Sequence, residues 1–195
     1  MRYAELRKLR DRLYFTLQDL QDLLGIKPEY ARVLCTRYKE KGIFIRLKKN
    51  FYVLNEKWDG FSQEDYLKIS NLLQVPSYIS FMTALSFYEI TTQVQRDYFE
   101  SASVKRSVSF NINGITFNFY KLKKQYYFDF IKKDDIFIAT KEKAFIDAVY
   151  LYSFGKYKLD FSSLDLDKLD KDKIKKILKV YPQKTRNIAK KLCGI

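Results

Sequence analysis

Residues 15–54 read FTLQDLQDLLGI (15–26), KPEYARVLCTRYKEKG (27–42) and IFIRLKKNFYVL (43–54), and these three phrases decide the fold. In the first, Thr16 can cap a short helix whose apolar positions Leu17, Leu20, Leu23 and Leu24 recur at helical spacing, and Gly25 suits a left-handed C-cap. In the second, Pro28 fits a first helical turn, and Ala31, Leu34, Cys35 and Tyr38 line one face until Gly42 ends the helix. Two helices joined by so short a turn make a helix-turn-helix. In the third, Ile43, Ile45 and Leu47 alternate with Phe44 and Arg46, and Tyr52 and Leu54 with Phe51 and Val53. Two strands are therefore expected around a Lys48-Lys49-Asn50 turn, where Asn50 tolerates positive φ. Helix-turn-helix plus basic hairpin predicts a winged helix.

The packing stripe of the second helix leaves Glu29, Arg32, Val33 and Thr36 on the opposite face, with Tyr30 and Arg37 at its edges and Lys27 at its entry. Such a face fits a DNA major groove, where Arg can donate two hydrogen bonds to one guanine. Lys27, Tyr30, Arg32, Thr36 and Arg37 are expected to read or enter the groove, and Arg46, Lys48, Lys49 and Asn50 to hold the backbone. The bland alternative is a solvated helix face and an edge-protected hairpin.

Composition bounds the rest. Lys and Arg number 37 against 23 Asp and Glu, a net charge of +14 that favours a polyanionic partner. Residues 1–57 hold 14 basic and 7 acidic side chains, about twice the charge density of residues 58–195, which hold 23 and 16. Apolar residues make up 47%, enough for a buried core. With no histidine there can be no Ser-His-Asp triad and no His-ligated zinc. Cys35 and Cys193 read as buried free thiols, which fits a reducing, cytoplasmic location. The first ten residues hold no apolar core of signal-peptide length, and no stretch is long enough for a membrane span.

Around the central stretch, Leu6, Leu9 and Leu13 predict a basic amphipathic helix over residues 3–13. Residues 55–60 are polar and suit a boundary, giving an expected DNA-binding domain at 1–57 and a second domain at 61–195. In the second domain Ser62 caps a helix through Leu73, Tyr78–Phe81 can be a short strand, and Met82–Tyr88 a compact helix. Strands follow at 98–104, 108–112 and 115–120, the last two joined by Asn113-Gly114, the strongest short-range hairpin signal. A strand at 135–139 leads through Thr140, an N-cap, into a helix over 141–152. The Lys-rich tail, about 157–195, carries apolar stripes at Ile174, Ile177, Leu178 and Tyr181 and at Ile188, Ala189 and Leu192. Its outer lysines are either a solvated face or a backbone- or RNA-contacting one. The fold class is α+β, with a small mixed sheet packed against helices.

No Gly-rich phosphate loop exists, and no catalytic residue, metal or cofactor is expected. Asp134, Asp135, Glu142 and Lys143 raise a metal-dependent nuclease as an alternative. Against it, the two aspartates stand where turn residues belong and Glu142 falls in a first helical turn, where the macrodipole favours negative charge.

The order of KEKGIFIR (39–46), FYV (51–53), YISFMTAL (78–85) and IFIATKEKAFIDAVY (136–150) resembles the AbiEi antitoxin family, over about Leu13 to Tyr157 and most clearly in Thr140–Asp147. Lys141 stands where the family usually has Pro; both suit a first helical position. The resemblance implies a winged helix that binds inverted repeats in double-stranded operator DNA and represses its own viral-defence operon. It also implies a C-terminal domain opposing a nucleotidyltransferase-like toxin without a stable complex, as in type IV systems. A regulator that binds its toxin directly is the alternative.

Overall fold

The computed structural model describes residues 3–93 and 95–195. Met1 and Arg2, where the reading for a signal peptide begins, lie outside them. The chain forms two units, Met1–Ile69 and Ser70–Ile195, each described by itself.

In the first unit, helix α1 (Tyr3–Leu6) tightens into a 3-10 turn over Arg7–Leu9 and ends there, short of the expected Leu13. Strand β1 (Phe15–Thr16) precedes α2 (Leu17–Leu24) and α3 (Pro28–Glu40), and the hairpin β2 (Phe44–Lys48) and β3 (Phe51–Leu54) follows, with one turn of helix, α4 (Asn55–Trp58), after it. The three strands form an antiparallel sheet in the order β1-β3-β2. β1 was not expected, since Phe15 read as the approach to a helix; two residues are too few to show an alternation.

The core of this unit gathers Leu6, Leu9, Phe15, Leu20, Ala31, Leu34, Cys35 and Phe44. Phe15 and Phe44 meet edge to face at 4.9 Å, and Tyr38 meets Phe44 in the same manner at 5.2 Å. Each fully buried Phe contributes roughly 1.5–3 kcal/mol. The start of α2 is fixed by a capping box: the Thr16 hydroxyl accepts from Asp19 N at 3.1 Å, and the Asp19 carboxylate accepts from Thr16 N at 2.7 Å. Thr16→Ala is therefore expected to cost the first unit ~1 kcal/mol, read as a lower urea midpoint at unchanged slope.

The second unit is built on a six-stranded mixed sheet: β4 (Ser77–Ile79), β5 (Tyr98–Ser103), β6 (Val108–Ile112), β7 (Ile115–Lys121), β8 (Phe130–Lys133) and β9 (Ile136–Ala139), ordered β6-β7-β5-β4-β9-β8. The β5–β7 and β4–β9 pairs are parallel and the others antiparallel. Asn113 and Gly114 both take positive φ, the requirement of a type I′ hairpin turn. Asp134 and Asp135 do the same between β8 and β9, so these carboxylates occupy a turn. β8 escaped the sequence reading because Phe130-Ile131-Lys132-Lys133 shows no alternation.

Both faces of the sheet are covered. From helix α5 (Gln63–Leu73), Ser70 meets Ser101 of β5 at 2.9 Å, and Asn71 exchanges two hydrogen bonds with the Phe137 backbone. On the other face lie α6 (Phe81–Phe87) and α7 (Lys141–Ser153), which pack together, with α8 (Lys171–Leu178) and α9 (Gln183–Cys193) against α7. Phe81 begins α6 rather than ending the strand. Tyr181, Thr185, Ala189 and Cys193 are buried, so the Lys-rich segment contributes to the core of this unit.

Candidate nucleic-acid interface

The orientation of α3 follows from what precedes it. Gly25 takes the left-handed conformation at φ 60 that closes α2, Ile26 N donates back to Gln21 O, and Pro28 opens α3. Ala31, Leu34 and Cys35 then face the core and Tyr38 is half-buried. That leaves Lys27, Glu29, Tyr30, Arg32, Val33, Thr36 and Arg37 exposed, Tyr30 and Val33 by 50% and 52%. Val33 stands between Arg32 and Arg37, with Tyr30 one turn before it, so apolar and cationic atoms share the outer face. The Thr36 hydroxyl donates to Arg32 O at 3.1 Å, leaving its methyl and lone pairs for other contacts.

The hairpin is anchored at both ends. Ile43 N donates to Tyr38 O at 2.8 Å, and Asn50, at φ 67, accepts at its carbonyl from Leu17 N at 3.1 Å. A register shift between Arg46 and Lys48 lets Arg46 Nε reach Lys48 O at 3.4 Å. Lys49, Asn50 and Arg46 are exposed. Lys48 is half-buried, its ammonium 4.5 Å from the Phe51 ring. Tyr14 stands beside that ring at 5.4 Å and is itself exposed. Sequence reasoning passed over Tyr14, which lies outside any periodic stretch.

Arg10 pairs with Glu56 and Arg12 with Asp19, whereas Lys27, Arg32, Arg37 and Lys49 meet no carboxylate among the described residues. On the inner side, burial pushes the Cys35 thiol up to about 11, with a hydrogen bond from Tyr52 acting the other way. The thiol is packing, with no reactive character.

Residues 4–55 match the model of a family described as a transcriptional regulator, the AbiEi antitoxin. Over these residues the chain is similar to the AbiEi antitoxin family. The match begins in α1 and ends at the first residue of α4, so it takes in every exposed cation just described. No curated protein matches the chain. The AbiEi match leaves out Thr140–Asp147, the phrase in which the sequence resemblance is clearest.

In the second unit, the residues considered for a nuclease have separate partners. Asp135 pairs with Lys132 at 2.7 Å on the surface. Glu142 is buried, accepts from Asp170 N at 3.1 Å and lies 3.3 Å from Lys173. Lys143 is fully buried against Asp147. Among the described residues no His, Cys, Asp or Glu side chains gather as a metal site requires, and no helix is long and apolar enough to cross a membrane.

Proposed function

We propose that this protein is a DNA-binding repressor of its own operon, with a winged helix as its reading head and an antitoxin role for its second unit. The single observation carrying the first part is the division of α3: Ala31, Leu34 and Cys35 are held in the core while Tyr30, Arg32, Val33, Thr36 and Arg37 stand outward, unopposed by carboxylates among the described residues. In this reading α3 lies in the major groove of double-stranded operator DNA, its N-terminal residues nearest the bases, and the hairpin lays Arg46, Lys48, Lys49 and Asn50 along phosphates. An inverted-repeat operator would place two copies of the head on one site. The antitoxin role, opposing a nucleotidyltransferase-like toxin without a stable complex, follows the family reading, and the AbiEi match supports regulation and antitoxin character together.

Two substitutions separate base reading from backbone holding. Arg32→Ala is expected to weaken operator binding by ~1–3 kcal/mol while leaving random duplex almost unaffected, and Lys49→Ala to weaken both alike. Lys49 is the cleaner backbone probe, because the ammonium of Lys48 rests on Phe51. If Lys27, Arg37, Arg46, Lys48 and Lys49 each neutralise a phosphate, the salt slope is about −4.5 per protomer. Gel-shift titrations of the promoter fragment over a range of salt read all three quantities. A uniform loss from both variants would remove the base-reading role of Arg32.

A further inference from the structure

The second unit is itself basic, with 22 Lys and Arg against 13 Asp and Glu in residues 70–195, and its cations are not evenly spent. Lys121 and Lys123 at the end of β7, and Lys156 after α7, line a groove of about 320 Å³ together with Leu122, Tyr150 and Phe154. Lys184 of α9 adds a fourth ammonium 5.7 Å from the Phe154 ring. None of these lysines is paired with a carboxylate among the described residues, and no carboxylate lines the groove.

In the middle of this charge stands an aromatic ring that the fold leaves uncovered. Phe154 is 46% exposed. It meets Tyr150 edge to face at 5.4 Å, and Tyr150 packs on Tyr126 at 4.8 Å and on the buried Tyr181 at 5.6 Å. Solvated lysines need no such platform. An exposed ring packed on an aromatic cluster, with one ammonium beside it and three more along the same groove, can hold an unpaired nucleotide, with the base stacked and the flanking phosphates neutralised.

We infer that this groove binds single-stranded nucleic acid, with Phe154 as the stacking platform and Lys121, Lys123, Lys156 and Lys184 as phosphate contacts. A duplex is disfavoured as occupant because its bases are already stacked and cannot use Phe154. An acidic peptide would satisfy the lysines and leave the ring idle. This surface lies in a different unit from the winged helix, so the two can be tested apart.

The test is fluorescence anisotropy of the full chain with a short labelled oligonucleotide, supplied as single-stranded RNA, as the same sequence in DNA, and as a DNA duplex. Phe154→Ala is expected to weaken single-strand binding roughly tenfold and leave duplex binding unchanged. Lys121→Ala with Lys123→Ala is expected to reduce a single-strand salt slope of about −3 by about one and a half. Arg32→Ala and Lys49→Ala, which probe the winged helix, are expected to leave single-strand affinity as it was. A preference between RNA and DNA identifies the natural source, and either one supports the inference. Wild-type single-strand affinity in a folded Phe154→Ala variant overturns it. So does displacement of the strand by an acidic peptide with no effect of Phe154→Ala.

Discussion

Asp147→Ala is expected to destabilise the second unit by ~3–5 kcal/mol, and Lys143→Met with Asp147→Leu in one chain to recover most of that loss. Lys143 and Asp147 are fully buried one turn apart on α7. The ammonium donates to Asp147, to the Tyr78 hydroxyl at 2.9 Å and to the Tyr181 hydroxyl at 3.0 Å, which uses all three of its protons. The carboxylate in turn accepts from Tyr181 at 3.0 Å on one oxygen, and from Tyr78 and Ser80 at 2.9 Å each on the other. Burial lowers the Lys143 pKa, while Asp147 acts against that shift. Removing Asp147 would leave a desolvated cation among phenols, and no surface charge change has a comparable cost. Removing both charges leaves only cavity and hydroxyl terms, which is why the double variant should recover. Urea unfolding of the three proteins checks this; equal losses in single and double variants would mean that packing, and not charge pairing, holds this centre together.

The second unit should also lose stability as pH rises from about 4.5 to about 7, by about 3 kcal/mol in total. Glu100, on β5, is 2% exposed, and burial raises its pKa from 4.5 to about 7. Hydrogen bonds from Tyr157 at 2.8 Å, Met82 N at 3.0 Å and Tyr120 at 3.4 Å act in the opposite sense without cancelling the burial. Between those two pH values the folded chain binds a proton that the unfolded chain has released. The stability this proton contributes is complete below 4.5 and gone once pH passes the folded pKa. The neighbouring Tyr120 and Tyr157 phenols are shifted upward and do not titrate in the window. The chain also has no histidine to obscure the effect. Glu100→Gln, which keeps an acceptor for Met82 N without the charge, should flatten the profile and be the more stable protein at pH 8. Parallel melting-temperature profiles for wild type and Glu100→Gln across this range would show that Glu100 ionises freely in the folded state.

The first unit was the more legible in sequence because its signals are local. The spacing of Ala31, Leu34 and Cys35 divided α3 into inner and outer faces, and both the Thr16 cap and Gly25 stand at the ends of α2. In the second unit the Asn113-Gly114 hairpin and the Thr140-capped helix were equally local and equally visible. What stayed hidden is long-range. The parallel pairing of β5 with β7 leaves no short-range mark, and β6 comes between them in the chain. Lys143 entered the disfavoured nuclease alternative because two of its partners, Tyr78 and Tyr181, lie far away in sequence, although Asp147 is only one helical turn away. Glu100 sits in an ordinary-looking strand whose burial on both faces only the assembled helices create. The outward placement of Arg32 and Arg37 was foreseeable from periodicity, and that of Lys27 and Lys49 from the helix entry and the hairpin turn, whereas the Phe154 groove needs side chains from β7, α7 and α9 brought together by folding.

Tyr181 has one more consequence. Its ring stacks on Tyr126 at 4.4 Å and its hydroxyl completes the shell around Lys143 and Asp147, yet it follows Lys143 by 38 residues. On the ribosome the first unit can therefore finish folding early, as N-terminal units generally do. In the second unit Asp147 and Tyr78 are already available to Lys143, but its third hydrogen-bond partner is missing until Tyr181 has left the exit tunnel.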